Sequence, residues 1–122
     1  MPLKTLCTLS HDKPFEYKYV DDEEIIVYPC DNDCNSQREY AIVITSFEQQ
    51  LVRNGIREAG TITIGASRDN PPKASLGATL KAHDCPPQLL SYLSAILVSG
   101  KYCAASKHRK TLALTFNKKA AS

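Results

Sequence analysis

Polar and apolar positions alternate through the first thirty residues as they do in strands. Residues 3–9 alternate weakly, and residues 15–19 place an aromatic ring at every second position with a charged residue between. Residues 25–28 form an apolar, largely β-branched run that ends at Pro29. Because successive side chains of a strand point to opposite faces, the pattern predicts an opening strand followed by a hairpin with an acidic loop at 21–24.

A helical pattern follows the hairpin. Ser36 precedes Glu39 by three positions, which is the spacing of a capping box, and Gly55 supplies a left-handed helix stop. The β-branched run 42–45 favours a strand instead. Since the cap, the apolar spacing and the glycine agree with one another, we predict a helix over residues 37–54. Its apolar stripe consists of Tyr40, Val43, Ile44, Phe47 and Leu51.

The remaining pattern alternates short strands with helices. We predict a strand at 61–64, a short helix at 75–83, a more deeply buried helix from Pro86 to Gly100, a basic turn at 107–110 and a strand at 111–116. Strands that cluster early and helices that come together late predict an α+β fold. The expected architecture is a single domain over residues 1–116, with a mostly antiparallel sheet, two to three helices packed on one face, and a flexible tail at 117–122.

Composition is consistent with one globular domain. The chain has 122 residues, of which 43% are hydrophobic and 23% charged, and a single core is the usual arrangement at this length. No stretch approaches the 18 apolar residues of a membrane span, and the opening ten residues lack the apolar region of a secretory signal. Five cysteines, an odd number, favour reduced thiols. We therefore expect a cytoplasmic protein without a membrane partner.

Charge is distributed unevenly along the chain. Residues 1–50 carry four basic and ten acidic side chains, a net charge of −6, whereas residues 51–122 carry eleven basic and three acidic ones, a net charge of +8. No acidic side chain follows Asp84. A compact fold can bring the two halves together so that each neutralises the other. The alternatives are a basic face for an anionic partner, or two complementary patches that drive self-association.

Cysteine and histidine pairs are the first candidates for chemistry. Cys30 and Cys34 lie in a polar loop and are weak candidates for metal ligands. Structural zinc requires four converging ligands, commonly with Cys-x2-Cys spacing, and that spacing is absent from the sequence. Glycine-rich phosphate-binding motifs are absent as well. The sequence therefore predicts no cofactor.

Cys85 and His83 are weak candidates for a nucleophile and its base. They stand two positions apart with Asp84 between them, whereas a nucleophile and its base usually come from separate elements. Cys85 also precedes a predicted helix N-terminus, where the macrodipole is able to lower the pKa of a thiol. The competing interpretation is an ordinary turn residue before a helix.

Basic residues near the end of the chain are candidates for nucleic-acid binding. Lys107, His108, Arg109 and Lys110 form a continuous basic run in a region that also contains aromatic residues, and phosphate contacts need only positive charge. No sequence motif of a known nucleic-acid-binding fold is present. The basic side chains also suit a strand edge that must avoid aggregation.

The aromatic hairpin completes the candidate sites. Tyr17 and Tyr19 would suit an interface, because tyrosine buries a ring while keeping a polar tip; the alternative is that these rings form the core. We expect a non-enzymatic binding or self-associating module that forms a homo-oligomer. The alternatives are a nucleic-acid-binding accessory protein and a small cysteine-dependent enzyme, and the sequence names no ligand or substrate.

Overall fold

Three helices and seven strands make up the part of the chain that the structure describes. The computed structural model describes residues 4–9, 13–20, 24–29, 41–65, 74–108 and 111–117. The strands are β1 (Lys4–Cys7), β2 (Pro14–Val20), β3 (Glu24–Pro29), β4 (Ile42–Ile44), β5 (Thr61–Thr63), β6 (Cys103–His108) and β7 (Thr111–Phe116). The helices are α1 (Ser46–Ala59), α2 (Leu76–Ala82) and α3 (Leu90–Ser99), the last preceded by a short 3₁₀ helix, Pro87–Leu89.

The first sheet has four antiparallel strands in the order β1-β2-β3-β4. It contains the predicted hairpin as β2 and β3, in a register that pairs Tyr17 with Val27 and Lys18 with Ile26. Because paired residues of an antiparallel ladder lie on the same face, the rows alternate between the core and the opposite side of the sheet. Residues 21–23 of the predicted acidic loop lie outside the described residues.

The second sheet has three antiparallel strands in the order β5-β7-β6. Thr61 pairs with Thr115, and their hydroxyl oxygens are 3.1 Å apart. The strands predicted at 61–64 and 111–116 are confirmed, but β6 was not predicted. Lys107 and His108, expected in a turn, belong to this strand. Residues 104–106 are exposed on both faces of the strand. Since neither face there is buried, the sequence of β6 shows no alternation of apolar and polar residues.

The predicted helix at 37–54 is wrong in its bounds and in its cap. The run 42–44 forms β4, in which the buried Ile44 pairs with Ile25 of β3, so sheet pairing outweighs the helical spacing of the apolar residues. The helix begins after Thr45 and continues through Gly55 to Ala59, with Gly60 as its C-cap. Residues 36–40, which contain the predicted cap, lie outside the described residues.

Gly55 serves helix packing rather than helix termination. A Cβ atom at this position would approach Leu76 Cδ2 of α2 to 2.9 Å, closer than real Cβ contacts allow. The two helices therefore touch where α1 has no side chain. The helices predicted at 75–83 and up to Gly100 are confirmed as α2 and as the 3₁₀ helix with α3, and Ser75 caps α2 by accepting the Ala78 N–H.

One hydrophobic cluster links both sheets and all three helices. Phe15 of β2 is fully buried and meets Tyr92 of α3 edge-on, with ring centroids 5.1 Å apart. The α+β class is confirmed, with antiparallel pairing throughout and two sheets instead of one. Other members of the core with no measurable exposure are Val27, Ile44, Ile56, Leu76, Leu80, Leu90, Leu93 and Leu114.

The last described residue, Asn117, is held by hydrogen bonds to the two residues immediately before β6. Asn117 donates its backbone N–H to Tyr102 O at 3.1 Å and its side-chain amide to Lys101 O at 2.9 Å. Residues 118–122 of the predicted tail lie outside the described residues, and the boundary at 116 stays a prediction. No helix within the described ranges is long and apolar enough to cross a membrane.

Candidate interaction surfaces

Cys85 and His83 lie close in sequence, but their functional groups are engaged elsewhere. The His83 ring makes a hydrogen bond through Nδ1 to Thr79 O at 2.9 Å. The Cys85 thiol donates to the backbone carbonyl of His83 at 3.5 Å. A general base must lie within hydrogen-bond reach of the proton that it removes. The hydrogen bonds of these two side chains therefore do not pair the imidazole with the thiol.

The electrostatic environment of Cys85 also opposes nucleophilic chemistry. Burial raises the pKa of the Cys85 thiol, and the nearby carboxylates of Glu48 and Asp84 and a hydrogen bond with Glu48 raise it further. This direction is opposite to the lowering expected for a thiol at a helix N-terminus. Because the thiolate is the reactive form, a raised pKa does not favour Cys85 as a nucleophile.

Glu48 has a structural role at the junction of α1 and α2. It is only 7% exposed, and its carboxylate accepts hydrogen bonds from both the backbone and the hydroxyl of Thr45. Beside it, Phe47 is 56% exposed and packs edge-on against His83 at 6.1 Å. Sequence reasoning missed Glu48, although its spacing from Thr45 is that of a capping box.

Metal binding was predicted weakly at Cys30 and Cys34, and both residues lie outside the described residues. Among the residues that the structure describes, no group of three or more histidine, cysteine or acidic side chains is arranged to hold a metal ion. The three cysteines that it describes, Cys7, Cys85 and Cys103, are free thiols.

Tyr17 and Tyr19 lie on the core-facing side of the first sheet. Tyr17 is 5% exposed, and its ring contacts those of Phe15 and Tyr19 at 6.0 and 6.2 Å. Burial raises the pKa of the Tyr17 hydroxyl. Tyr19 is partly buried against the same core. The aromatic stripe is thus mainly packing, and an interface on this sheet would have to use the opposite face.

That opposite face also carries Thr5, Val20 and Glu24. Its central part, which we call the outer face, consists of Glu16, Lys18, Ile26, Tyr28 and Val43. One row runs across three strands as Lys18, Ile26 and Val43, and the next row contains Glu16 and Tyr28. Val43 is 49% exposed, and the Lys18 ammonium lies 5.9 Å from the centroid of the Tyr28 ring. The outer face therefore combines apolar side chains with both signs of charge. The uninterrupted apolar run 25–28 signalled it, because such a strand places apolar residues on both faces.

A second surface carries the basic residues of the C-terminal half. Arg53 of α1 stacks over the Tyr102 ring at 5.4 Å, and the Tyr102 hydroxyl donates to Arg53 O at 3.0 Å. Phe116 meets Tyr102 edge-on at 5.4 Å, and Lys101 is exposed next to it. Arg53 Nε is buried and has no hydrogen-bond partner among the described residues. Sequence reasoning missed Arg53, which lies about fifty positions upstream of the basic region it joins.

The structure describes only the first half of the predicted basic run. Lys107 is exposed on β6, and the backbone of His108 ends the same strand. Arg109 and Lys110 lie outside the described residues. The described part of the run, Lys107 and His108, therefore lies at the end of β6 that is away from the Tyr102 ring.

Comparison with known proteins identifies no relative for this architecture. No family model, no curated protein and no solved structure matches the chain.

Proposed function

We propose that this protein is a non-enzymatic binding module of the cytoplasm that self-associates through its outer face. The observation that carries the proposal is the exposure of Val43 beside Ile26 on a sheet whose other face is fully used by the core. Large apolar side chains grouped on one exposed face are typical of contact surfaces. The odd number of cysteines and the free thiols support the cytoplasmic location.

Charge favours a second copy of the chain as the occupant of this face. Glu16 and Lys18 lie two positions apart on β2 and point to the same side. In a two-fold arrangement, the lysine of each copy is able to approach the glutamate of the other. The reason is that when residue i of one copy contacts residue j of the second, residue j of the first also contacts residue i of the second. The apolar row through Ile26 and Val43 would then be buried at the centre, with the charges at the rim.

Sedimentation equilibrium over a wide concentration range tests the proposal. We expect a monomer–dimer equilibrium that Val43→Glu shifts strongly to monomer, because the variant places a charge in an apolar contact. Val43→Thr is the matched control, since it keeps the shape of valine and should weaken association far less. A wild-type protein that stays monomeric at all concentrations contradicts the proposal.

A nucleic-acid-binding accessory role is the second candidate. The Arg53–Tyr102–Phe116 cluster favours it, because the fold adds an arginine from α1 to the basic, aromatic C-terminal region. Binding of an oligonucleotide should weaken steeply with salt, as counterion release requires. Arg53→Gln should reduce both the affinity and the salt dependence, and the absence of a mobility shift at low salt excludes this role.

The cysteine-dependent enzyme is the least supported alternative. Its nucleophile would have to be Cys85, whose pKa is raised by burial and by Glu48, and whose neighbour His83 bonds to Thr79 instead.

A further inference from the structure

Within the described residues, the outer edge of β6 has backbone groups without a hydrogen-bond partner at alternate positions. On the β5 side of β7, the Ile64 N–H donates to Leu112 O at 3.0 Å and the Phe116 N–H donates to Gly60 O at 2.7 Å. Both polar groups of a strand residue point to the same side in an antiparallel ladder. Leu112 and Phe116 therefore use their backbone groups toward β5 and not toward β6.

The β6 partners of these residues must point their backbone groups the other way. Lys107 is paired with Leu112, and Cys103 with Phe116, and by alternation Ala105 has the same orientation as both. Within the described residues, β6 is an edge strand of its sheet, and no backbone hydrogen bond outside the sheet involves these three residues. Three N–H and three C=O groups thus point outward.

The edge is accessible at Ala105 and Lys107, whereas Cys103 is 3% exposed and its outward groups are covered. The side chains of residues 104–107 are all exposed, so neither face of the strand is covered there. An exposed edge of this length is a template for the addition of another strand. The two accessible outward residues, Ala105 and Lys107, lie two positions apart, which suits a partner segment of about three extended residues.

The charge of this region selects the chemistry of the partner. Lys101 and Lys107 are exposed at the two ends of the strand, and the sequence has no acidic side chain after Asp84. A second copy of β6 would bring like charges to the same edge, whereas an acidic segment meets opposite charge at both ends. Charge complementarity therefore favours an acidic partner.

We propose that the edge of β6 binds an extended acidic peptide segment of another protein by β-strand addition, through the outward backbone groups of Ala105 and Lys107. The inference rests on the proposed role as a binding module, but it uses a different surface from self-association. Backbone hydrogen bonds supply the affinity, and Lys101 and Lys107 select for acidic side chains.

The test uses the full chain and a defined probe, a capped seven-residue peptide of alternating glutamate and valine, followed by nitrogen-15 NMR. We expect saturable shifts and slowed exchange at the amides of Ala105 and Lys107. Ala105→Pro removes one outward N–H without touching the β7 ladder, and should weaken binding about tenfold. Ala105→Val keeps the N–H and is the matched control, so it should bind as the wild type does. The melting temperature of each variant verifies folding.

Several results would overturn the proposal. One is the absence of saturable binding by the glutamate–valine peptide; others are equal binding by a lysine–valine peptide, or by a peptide methylated on its backbone nitrogens. Loss of self-association in Ala105→Pro would show that a second copy occupies the edge, and an oligonucleotide that alone shifts these amides would identify a nucleic-acid surface. Peptide binding by the monomeric Val43→Glu variant separates the two proposals, because outer-face association can then fail while the edge still binds.

Discussion

Thr45 and Glu48 cap α1 reciprocally. The Thr45 backbone N–H donates to Glu48 Oε1 over 2.9 Å, and the Glu48 backbone N–H donates to Thr45 Oγ1 over 3.2 Å. The Thr45 hydroxyl adds a third bond to the same carboxylate oxygen at 3.1 Å. This pair fixes the point where β4 ends and the helix begins, and it does so with a carboxylate that is almost entirely buried.

Removal of the cap should therefore destabilise the protein. Thr45→Ala deletes the acceptor for the Glu48 N–H and one donor to its carboxylate, and we expect a loss of about 1 kcal/mol in the free energy of unfolding. Urea denaturation measures the change. Ser46→Ala, at the neighbouring exposed position, is the control and should change stability by less than half as much. Equal effects of the two substitutions would argue against a stabilising cap.

The same cap explains where sequence reasoning about the fold succeeded and failed. Two segments have the spacing of a capping box, one starting at Ser36 and one at Thr45, and local pattern alone does not choose between them. The choice depends on the pairing of Ile42–Ile44 with β3, which is a tertiary contact. Strands with clean alternation, such as β2, were predictable because burial on one face imposes the period directly.

Glu48 should also control the reactivity of Cys85. Its carboxylate helps to raise the pKa of the thiol, so Glu48→Gln should lower that pKa and increase the thiolate fraction at pH 8. We expect Cys85 to react with iodoacetamide roughly threefold faster or more in this variant. Glutamine also serves at this position of a capping box, so the fold should be retained.

A simplified background makes the rate measurable, with Cys7, Cys30 and Cys34 replaced by serine. The buried Cys103 should stay unlabelled over the same time, because it is 3% exposed. The comparison variant is Asp84→Asn, which removes the charge that contributes less to the shift and should accelerate the reaction less. A rate that is unchanged in Glu48→Gln would refute the electrostatic role of the carboxylate.

Cys103 should make stability fall at high pH. Burial raises its pKa to about 11 in the folded state, whereas a thiol in the unfolded chain has a pKa of about 8.5. The folded protein therefore binds the proton more tightly. The stabilisation is complete below about pH 8.5 and is lost as the pH rises toward 11, at up to about 1.4 kcal/mol per pH unit.

Denaturation curves at pH 8 and pH 10 measure this dependence. Cys103→Ala should flatten the decline between the two values, since only the buried thiol is removed. Cys7→Ala changes an exposed cysteine and should keep the wild-type decline. The linkage argument fails if all three proteins lose the same stability over this interval.

Gly60 should be required for its backbone conformation. It has φ +77° at the end of α1, a region that disfavours side chains, and its carbonyl accepts the Phe116 N–H at 2.7 Å. Gly60→Ala should cost about 1–2 kcal/mol of stability.

Gly100 provides the matched control for that substitution. It also ends a helix, but its φ is −81°, and an added Cβ would meet its nearest neighbour, Ile96 O, at an ordinary 3.5 Å. Gly100→Ala should therefore change the thermal midpoint much less than Gly60→Ala does. A larger loss of thermal midpoint in Gly100→Ala than in Gly60→Ala would show that the space for a side chain, and not the backbone conformation, determines the cost of substitution at these helix ends.

The candidate surfaces were less predictable than the strands. The outer face follows from the register of β2, β3 and β4, and the Arg53–Tyr102 contact joins residues 49 positions apart. The apolar run 25–28 indicates only that β3 has apolar residues on both faces, and the Arg53–Tyr102 contact leaves no local pattern. The unpaired edge of β6 depends on which side of β7 faces β5, which only the hydrogen bonds of Ile64 and Phe116 reveal.

The central position of β7 affects how the protein is made. In the first sheet, β1, β2 and β3 pair in the order of synthesis, so they are able to associate while the ribosome is still extending the chain. In the second sheet, as far as the structure describes the chain, β5 and β6 pair with β7 alone, and β7 is synthesised last of the three. During translation, about fifty further residues must therefore be synthesised before β5 is able to pair with β7. We expect nascent chains halted before Thr111 to expose Ile62 and Ile64. Chaperones should be needed to shield these residues until β7 has been synthesised.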